Sequence, residues 1–106
     1  MNKYKNVKEL IKAFIAGEND AFSGSSPVLS NTKIRGDKLF HYSTIIAERY
    51  EEKIIINVTK YSIQTDRLQK QLIEAVEPEK QILVHDVDLD YSGSLKKLAL
   101  NKKIIF

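Results

Sequence analysis

The run Ile54-Ile55-Ile56-Asn57-Val58-Thr59 constrains the fold of this chain more than any other segment. Side chains branched at Cβ lose rotamer freedom in a helix and pack well on a pleated surface, so the run reads as a strand. Alternation sends Ile54, Ile56 and Val58 to one face and Ile55, Asn57 and Thr59 to the other. Upstream, Lys38 to Tyr42 and Thr44 to Tyr50 also read as extended, either as two strands or as one bent strand. Leu39, His41 and Ser43 alternate there with Phe40, Tyr42 and Thr44. Gly36-Asp37 has turn chemistry, and Glu51-Glu52-Lys53 forms the next turn. Val28 to Arg35 is a weaker strand, which places the strands of the middle region within residues 28–60.

Helical periodicity brackets these strands. Val7, Leu10, Ile11, Phe14 and Ile15 fall on one stripe of a helix over 7–16. Asn6 is its N-cap, Glu9 stands at N3, and Gly17 ends it. Leu68, Leu72, Ile73 and Val76 form the stripe of a second helix over 66–76, with Thr65 as N-cap and Asp66 in the first turn. Glu77-Pro78 ends that helix, because the residue before proline avoids helical dihedrals. Residues 18–27 read as loop, with Phe22 as either its anchor or a contact residue. Residues 81–87 form a further strand, and Ser94 caps a short helix, Leu95 to Leu100. Within the C-terminal segment 94–106, Lys103-Ile104-Ile105-Phe106 is apolar enough to dock as an edge strand or at the edge of a homodimer. The expectation is a single α+β domain: a small antiparallel sheet covered on one face by the helices at 7–16 and 66–76.

A chain of 106 residues with 42% apolar content can bury a core in one domain. The lack of cysteine excludes disulfides, zinc-thiolate sites and thiol catalysis. The opening MNKYKNVKEL has no apolar signal region and no apolar run approaches roughly 18 residues, so the reading is a cytoplasmic chain without a membrane partner. The net charge is +3 and unevenly spread. Lysines crowd both ends, while Glu77, Glu79, Asp86, Asp88 and Asp90 precede the basic tail of Lys96, Lys97, Lys102 and Lys103.

Motifs for chemistry are few. Asp86, Asp88 and Asp90 match the first ligand positions of a calcium loop, but Tyr91 stands where the turn needs glycine and Lys97 where calcium needs a bidentate glutamate. His41 and His85 are the only histidines and no spacing links them. No serine lies in a nucleophile elbow, and no phosphate or dinucleotide loop is present. No metal, cofactor or enzymatic activity is therefore expected. Phe40, Tyr42, Tyr50 and Tyr61 lie near Arg35, Lys38, Arg49 and Lys60. Such a basic-aromatic strand surface could stack bases and neutralise phosphates, or with Phe22 contact a protein partner. The competing reading puts half of these aromatics in the core.

The segment Ile34-RGDKLFHYSTIIAER-Tyr50, followed by Ile54-IINVTKYSIQTDRLQKQ-Leu72, resembles a family of small uncharacterised domains. That family occurs in phages, plasmids and other mobile elements of Gram-positive bacteria. The resemblance rests on Gly36, Asp37, Leu39, Tyr42, Thr44, Ile46 and Ala47, then on Asn57, Thr59, Tyr61, Ser62, Thr65 and Gln69. It departs at Gln64-Thr65-Asp66, where the family carries two threonines and a serine. It covers residues 34–75 and implies a mobile-element origin. Such an origin suggests a non-enzymatic binding protein acting in the host bacterial cytoplasm on a host protein complex. An inhibitor of a defence nuclease such as a CRISPR effector is one form of this. The alternative is an accessory protein that binds nucleic acid through the strand surface and the basic termini. On either reading Asn57, Thr59, Tyr61 and Thr65 are expected to fix the strand-to-helix corner.

Overall fold

The computed structural model describes residues 1–24, 31–101 and 104–105. In chain order the elements are β1 (Asn2–Tyr4), α1 (Val7–Ile15), β2 (Asp20–Ser23), β3 (Thr32–Arg35), β4 (Lys38–His41), β5 (Thr44–Tyr50), β6 (Lys53–Asn57), α2 (Ile63–Ala75), β7 (Gln81–Val84), α3 (Leu95–Asn101) and β8 (Ile104–Ile105). A 3₁₀ turn at Pro78–Lys80 leads into β7. The fold is α+β, as its sequence pattern implies.

Among the described residues the strands form one sheet whose spatial order is the sequence order, β1 to β8. The middle is an antiparallel meander from β2 to β6. Its two-residue hairpin loops are Gly36-Asp37, Tyr42-Ser43 and Glu51-Glu52. Each places its first residue in the left-handed region, at φ 63°, 57° and 56° for Gly36, Tyr42 and Glu51. Only the first loop uses a glycine there. Parallel pairs join β1 to β2 across α1, and β6 to β7 across α2. Both crossovers step the same way along the sheet between strands of the same direction. The handedness rule for such connections then puts both helices on one face. They are found there, burying Leu10, Ile11, Phe14, Leu68 and Leu72 against Ile34, Leu39, Ile46 and Ile56.

The opposite face carries the third helix. Leu95 and Ala99 of α3 pack on Ile45, Ile55, Ile82 and Val84. A bulge in β5 opposite Leu39 and Phe40 makes this two-sided arrangement possible, because Ile46 and Ala47 both serve the first core while Ile45 serves the second. Glu48, buried on the second face, accepts from Ser94 Oγ at 2.6 Å and from the Leu95 amide at 2.9 Å. It thus joins Ser94, whose Oγ accepts from the Lys96 amide, in satisfying the first donors of α3.

Several expectations are corrected. Residues 20–23 are a strand rather than loop, and β1 is an additional strand. Both are short, and they exist because they pair with neighbouring strands. The second helix begins at Ile63, with Ser62 as its cap, because Ser62 Oγ accepts from the Thr65 amide at 3.2 Å. Asn6 caps α1 as expected, accepting from the Glu9 amide at 2.9 Å, and Gly17 follows at φ 109°. Ile73 is exposed rather than core, and Gln69 takes a buried place on that helix. Ile104–Ile105 pairs with β7 as an edge strand. The expected loop at 25–27, the start of the expected strand at 28–30, Lys102, Lys103 and Phe106 lie outside the described residues.

Replacing Glu48 with Gln should destabilise the fold by about 1–3 kcal/mol, since an amide presents a donor where the Ser94 hydroxyl and the Leu95 amide need acceptors. Urea denaturation measures this. Glu51→Gln in the exposed hairpin loop should change stability by less than about 0.5 kcal/mol.

Candidate functional site

The strand β6 ends in Asn57, a polar side chain with 0% exposure. A buried amide must find partners, and this one finds them on three sides. Its Nδ2 donates to the Ile45 carbonyl at 3.0 Å and to the Tyr61 hydroxyl at 2.9 Å, while its Oδ1 accepts from the Thr59 amide at 3.0 Å. Tyr61 passes the connection on, donating to the Val87 carbonyl at 2.6 Å. Thr59 Oγ1 accepts from the Val87 amide at 3.0 Å. Gln69, reaching back from α2, donates to the carbonyls of Asn57 and Thr59, each at 2.8 Å. Asn57, Thr59, Tyr61 and Gln69 therefore bond one another or the backbone at a single corner. Among the described residues no buried side-chain polar atom is left without a partner.

The start of α2 attaches to the same corner. Thr65 Oγ1 lies 3.0 Å from Ser62 Oγ and 3.1 Å from His41 Nδ1. Burial pushes the His41 imidazole below its usual value of 6.5, which favours the neutral ring. Thr44 Oγ1 donates to the Leu89 carbonyl at 3.2 Å, which holds the loop after β7 against the start of β5.

On the outside of this network lies a cleft of about 490 Å³, lined by His41, Tyr42, Thr44, Lys60, Tyr61 and Leu89 together with Ser43, Ser62 and Thr65. Its rim is apolar. Tyr42 and Leu89 are each 62% exposed, and Ile63, adjoining through Lys60, Tyr61 and Ser62, is 75% exposed. Tyr42 sits at the hairpin tip with φ 57° and packs edge-on against His41, ring centroids 4.7 Å apart. A bulky residue held at positive φ costs of order 1–3 kcal/mol, so a tyrosine there is a conformational expense not required by the turn alone.

The basic-aromatic residues expected to share a strand surface are not brought together on one. Tyr42, Lys60 and Tyr61 meet at the cleft. Phe22 is buried in β2, and Phe40 and Tyr50 pack against the second core. Lys96 lies over the Tyr50 ring at 4.7 Å. Lys38 bonds Asp37, and Arg35 is exposed at the end of β3. Arg49 donates to the carbonyls of Phe14, Glu18 and Gly36 at 2.8, 2.9 and 2.8 Å and lies over the Phe14 ring. Burial lowers its pKa, partly offset by Asp37 and Glu18, and three of its N–H donors are engaged within the fold. Ile63 and Leu89 were not anticipated. The available signals were an isoleucine off the helical stripe just after a cap and a leucine between two aspartates.

Among the described residues no three His, Cys, Asp or Glu side chains come together as a metal site, and no helix is long and apolar enough to cross a membrane. Thr65 stands between Ser62 and His41, so the exposed hydroxyl of the cleft has no direct bond to the imidazole. No family model, no curated protein and no solved structure matches the chain.

Ser62→Ala should cost about 1 kcal/mol as a lost cap, measurable by denaturant unfolding. The His41 shift has a definite sign. As pH falls through 6.5 the unfolded chain takes up a proton at this histidine and the folded chain does not. This contribution to stability is thus complete above pH 6.5 and declines below it until the folded ring also protonates. Thermal unfolding from about pH 8 to about pH 5 should show the decline, and His41→Leu should make it shallower.

Proposed function

We propose that this chain is a non-enzymatic binding protein of mobile-element origin that seats a host protein on the corner cleft beside α2. The single observation carrying this reading is the placement of the most exposed large apolar side chains among the described residues: Tyr42 and Leu89 line one cleft, and Ile63 lines an adjoining hollow that shares Lys60, Tyr61 and Ser62 with it. Apolar groups clustered inside a polar rim are what a protein interface presents, since the centre excludes water and the rim sets register. Here the rim is Ser43, Lys60, Ser62 and Asp66. The hydrogen-bonded floor holds the patch in place before binding, which reduces the ordering cost of association.

The resemblance supports the kind of partner. A host defence nuclease such as a CRISPR effector is the partner class this reading favours, and blocking it by occupancy requires no chemistry of the binder. The nucleic-acid alternative is less well supported, because Lys38, Lys60 and Arg49 are engaged with groups of their own chain.

Capture from host lysate on immobilised protein tests the proposal. The wild type should retain a host protein, and a Tyr42→Ala/Ile63→Ala/Leu89→Ala variant should lose it, with affinity lowered about tenfold or more. Retention by the variant would remove the cleft from the interaction. Submicromolar binding to single-stranded DNA or RNA in about 150 mM salt, where exposed charges are already screened, would favour the nucleic-acid alternative.

A further inference from the structure

We infer that the partner surface seated on this cleft is cationic: a basic protein surface that inserts an apolar anchor between Tyr42, Ile63 and Leu89. This rests on the protein-binding reading and names the chemistry of its partner. The argument is the local charge. Leu89 stands between Asp88 and Asp90, both exposed, and the Asp86 side chain is 83% exposed. Lys60 lines the cleft, but its ammonium is 3.0 Å from Asp66 Oδ1, and the other oxygen of that carboxylate holds Lys70 at 3.1 Å. Lys60 and Lys70 thus share one carboxylate, Asp66, whereas Asp88 and Asp90 flank Leu89 on a chain whose overall charge is +3; Asp86 lies 3.0 Å from His85 Nδ1 and is not part of this balance. Arg67 lines a different cleft, with Gln64 and Gln71.

The acidic segment is held in position. The Val87 amide and carbonyl are bonded to Thr59 and Tyr61, and the Leu89 carbonyl to Thr44. Its carboxylates are consequently presented beside the apolar patch on a loop fixed at several points. A like-charged partner is repelled there and a basic one is attracted, which confers selectivity and raises the association rate. The same field opposes phosphate and separates this partner from a nucleic acid.

Titration of the whole protein with an amphipathic Lys/Leu peptide tests the inference, read by NMR shift mapping and calorimetry at about 50 and about 200 mM salt. A Glu/Leu peptide and a single-stranded oligonucleotide serve as comparators. The Lys/Leu peptide should bind at the cleft and weaken with salt. Asp88→Asn/Asp90→Asn should reduce its affinity about fivefold and flatten the salt dependence. Glu51→Gln/Glu52→Gln, the same charge change at the far end of β5, should leave both unchanged. Equal affinity for wild type and the aspartate variant, or preference for the acidic peptide or the oligonucleotide, overturns the inference. If the triple alanine variant loses the captured host protein while Asp88→Asn/Asp90→Asn retains it with unaltered salt dependence, the cationic partner is wrong and the binding reading stands. If the triple variant retains the host protein, both fall.

Discussion

A buried amide at the end of an apolar strand sets the terms for the rest of this structure. Asn57 cannot be left unpaired at zero exposure without a cost of roughly 1–3 kcal/mol. Its partners lie on β5, on the segment after β6 and, through Tyr61, on the segment after β7. Satisfying it therefore fixes the exit angle of β6, and with it the start of α2. Gln69 locks the same junction from the helix side. A corner built this way resists alternative packings, because every polar member is already paired and a shift breaks several bonds together.

The sheet divides the labour between its faces. One face is closed by α1 and α2, which arrive there as a consequence of two parallel crossovers of like direction. The other relies on α3, a helix of seven residues with little stability of its own. Glu48 accounts for its attachment, supplying a buried acceptor where the helix has unpaired donors. Gln81 plays the reciprocal part for α2, donating to the carbonyls of Ile73 and Val76 at the end of the helix. Arg49 does the same for the end of α1 through Phe14. The ends of α1 and α2 and the start of α3 thus draw on side chains from strands.

This pattern explains what could be read in the sequence and what could not. Asn6, Gly17 and the alternation from Ile54 to Val58 are local signals, and the α1 cap, its termination and β6 follow them. Ser62 and Thr65 both suit a cap, and the choice between them depends on His41, 24 residues from Thr65. The strands β1 and β2 carry little periodicity and are set by pairing. The cleft was half legible: Tyr42, Lys60 and Tyr61 stood out, whereas Ile63 and Leu89 are brought beside them only by the corner and the loop after β7. Arg49, Phe22 and Tyr50 resembled surface residues because nothing local records which face of the sheet is covered.

Strand order equal to chain order has a consequence for synthesis. Each strand after the first pairs with the one made just before it, so the sheet can be laid down strand by strand as the polypeptide leaves the ribosome. Among the described residues no later strand must be threaded between two earlier ones. The longer waits fall before β2, β7 and β8, where a helix must be made before the next strand can join. At those stages the growing sheet carries an open edge, the nascent chain's most vulnerable surface for pairing with another molecule.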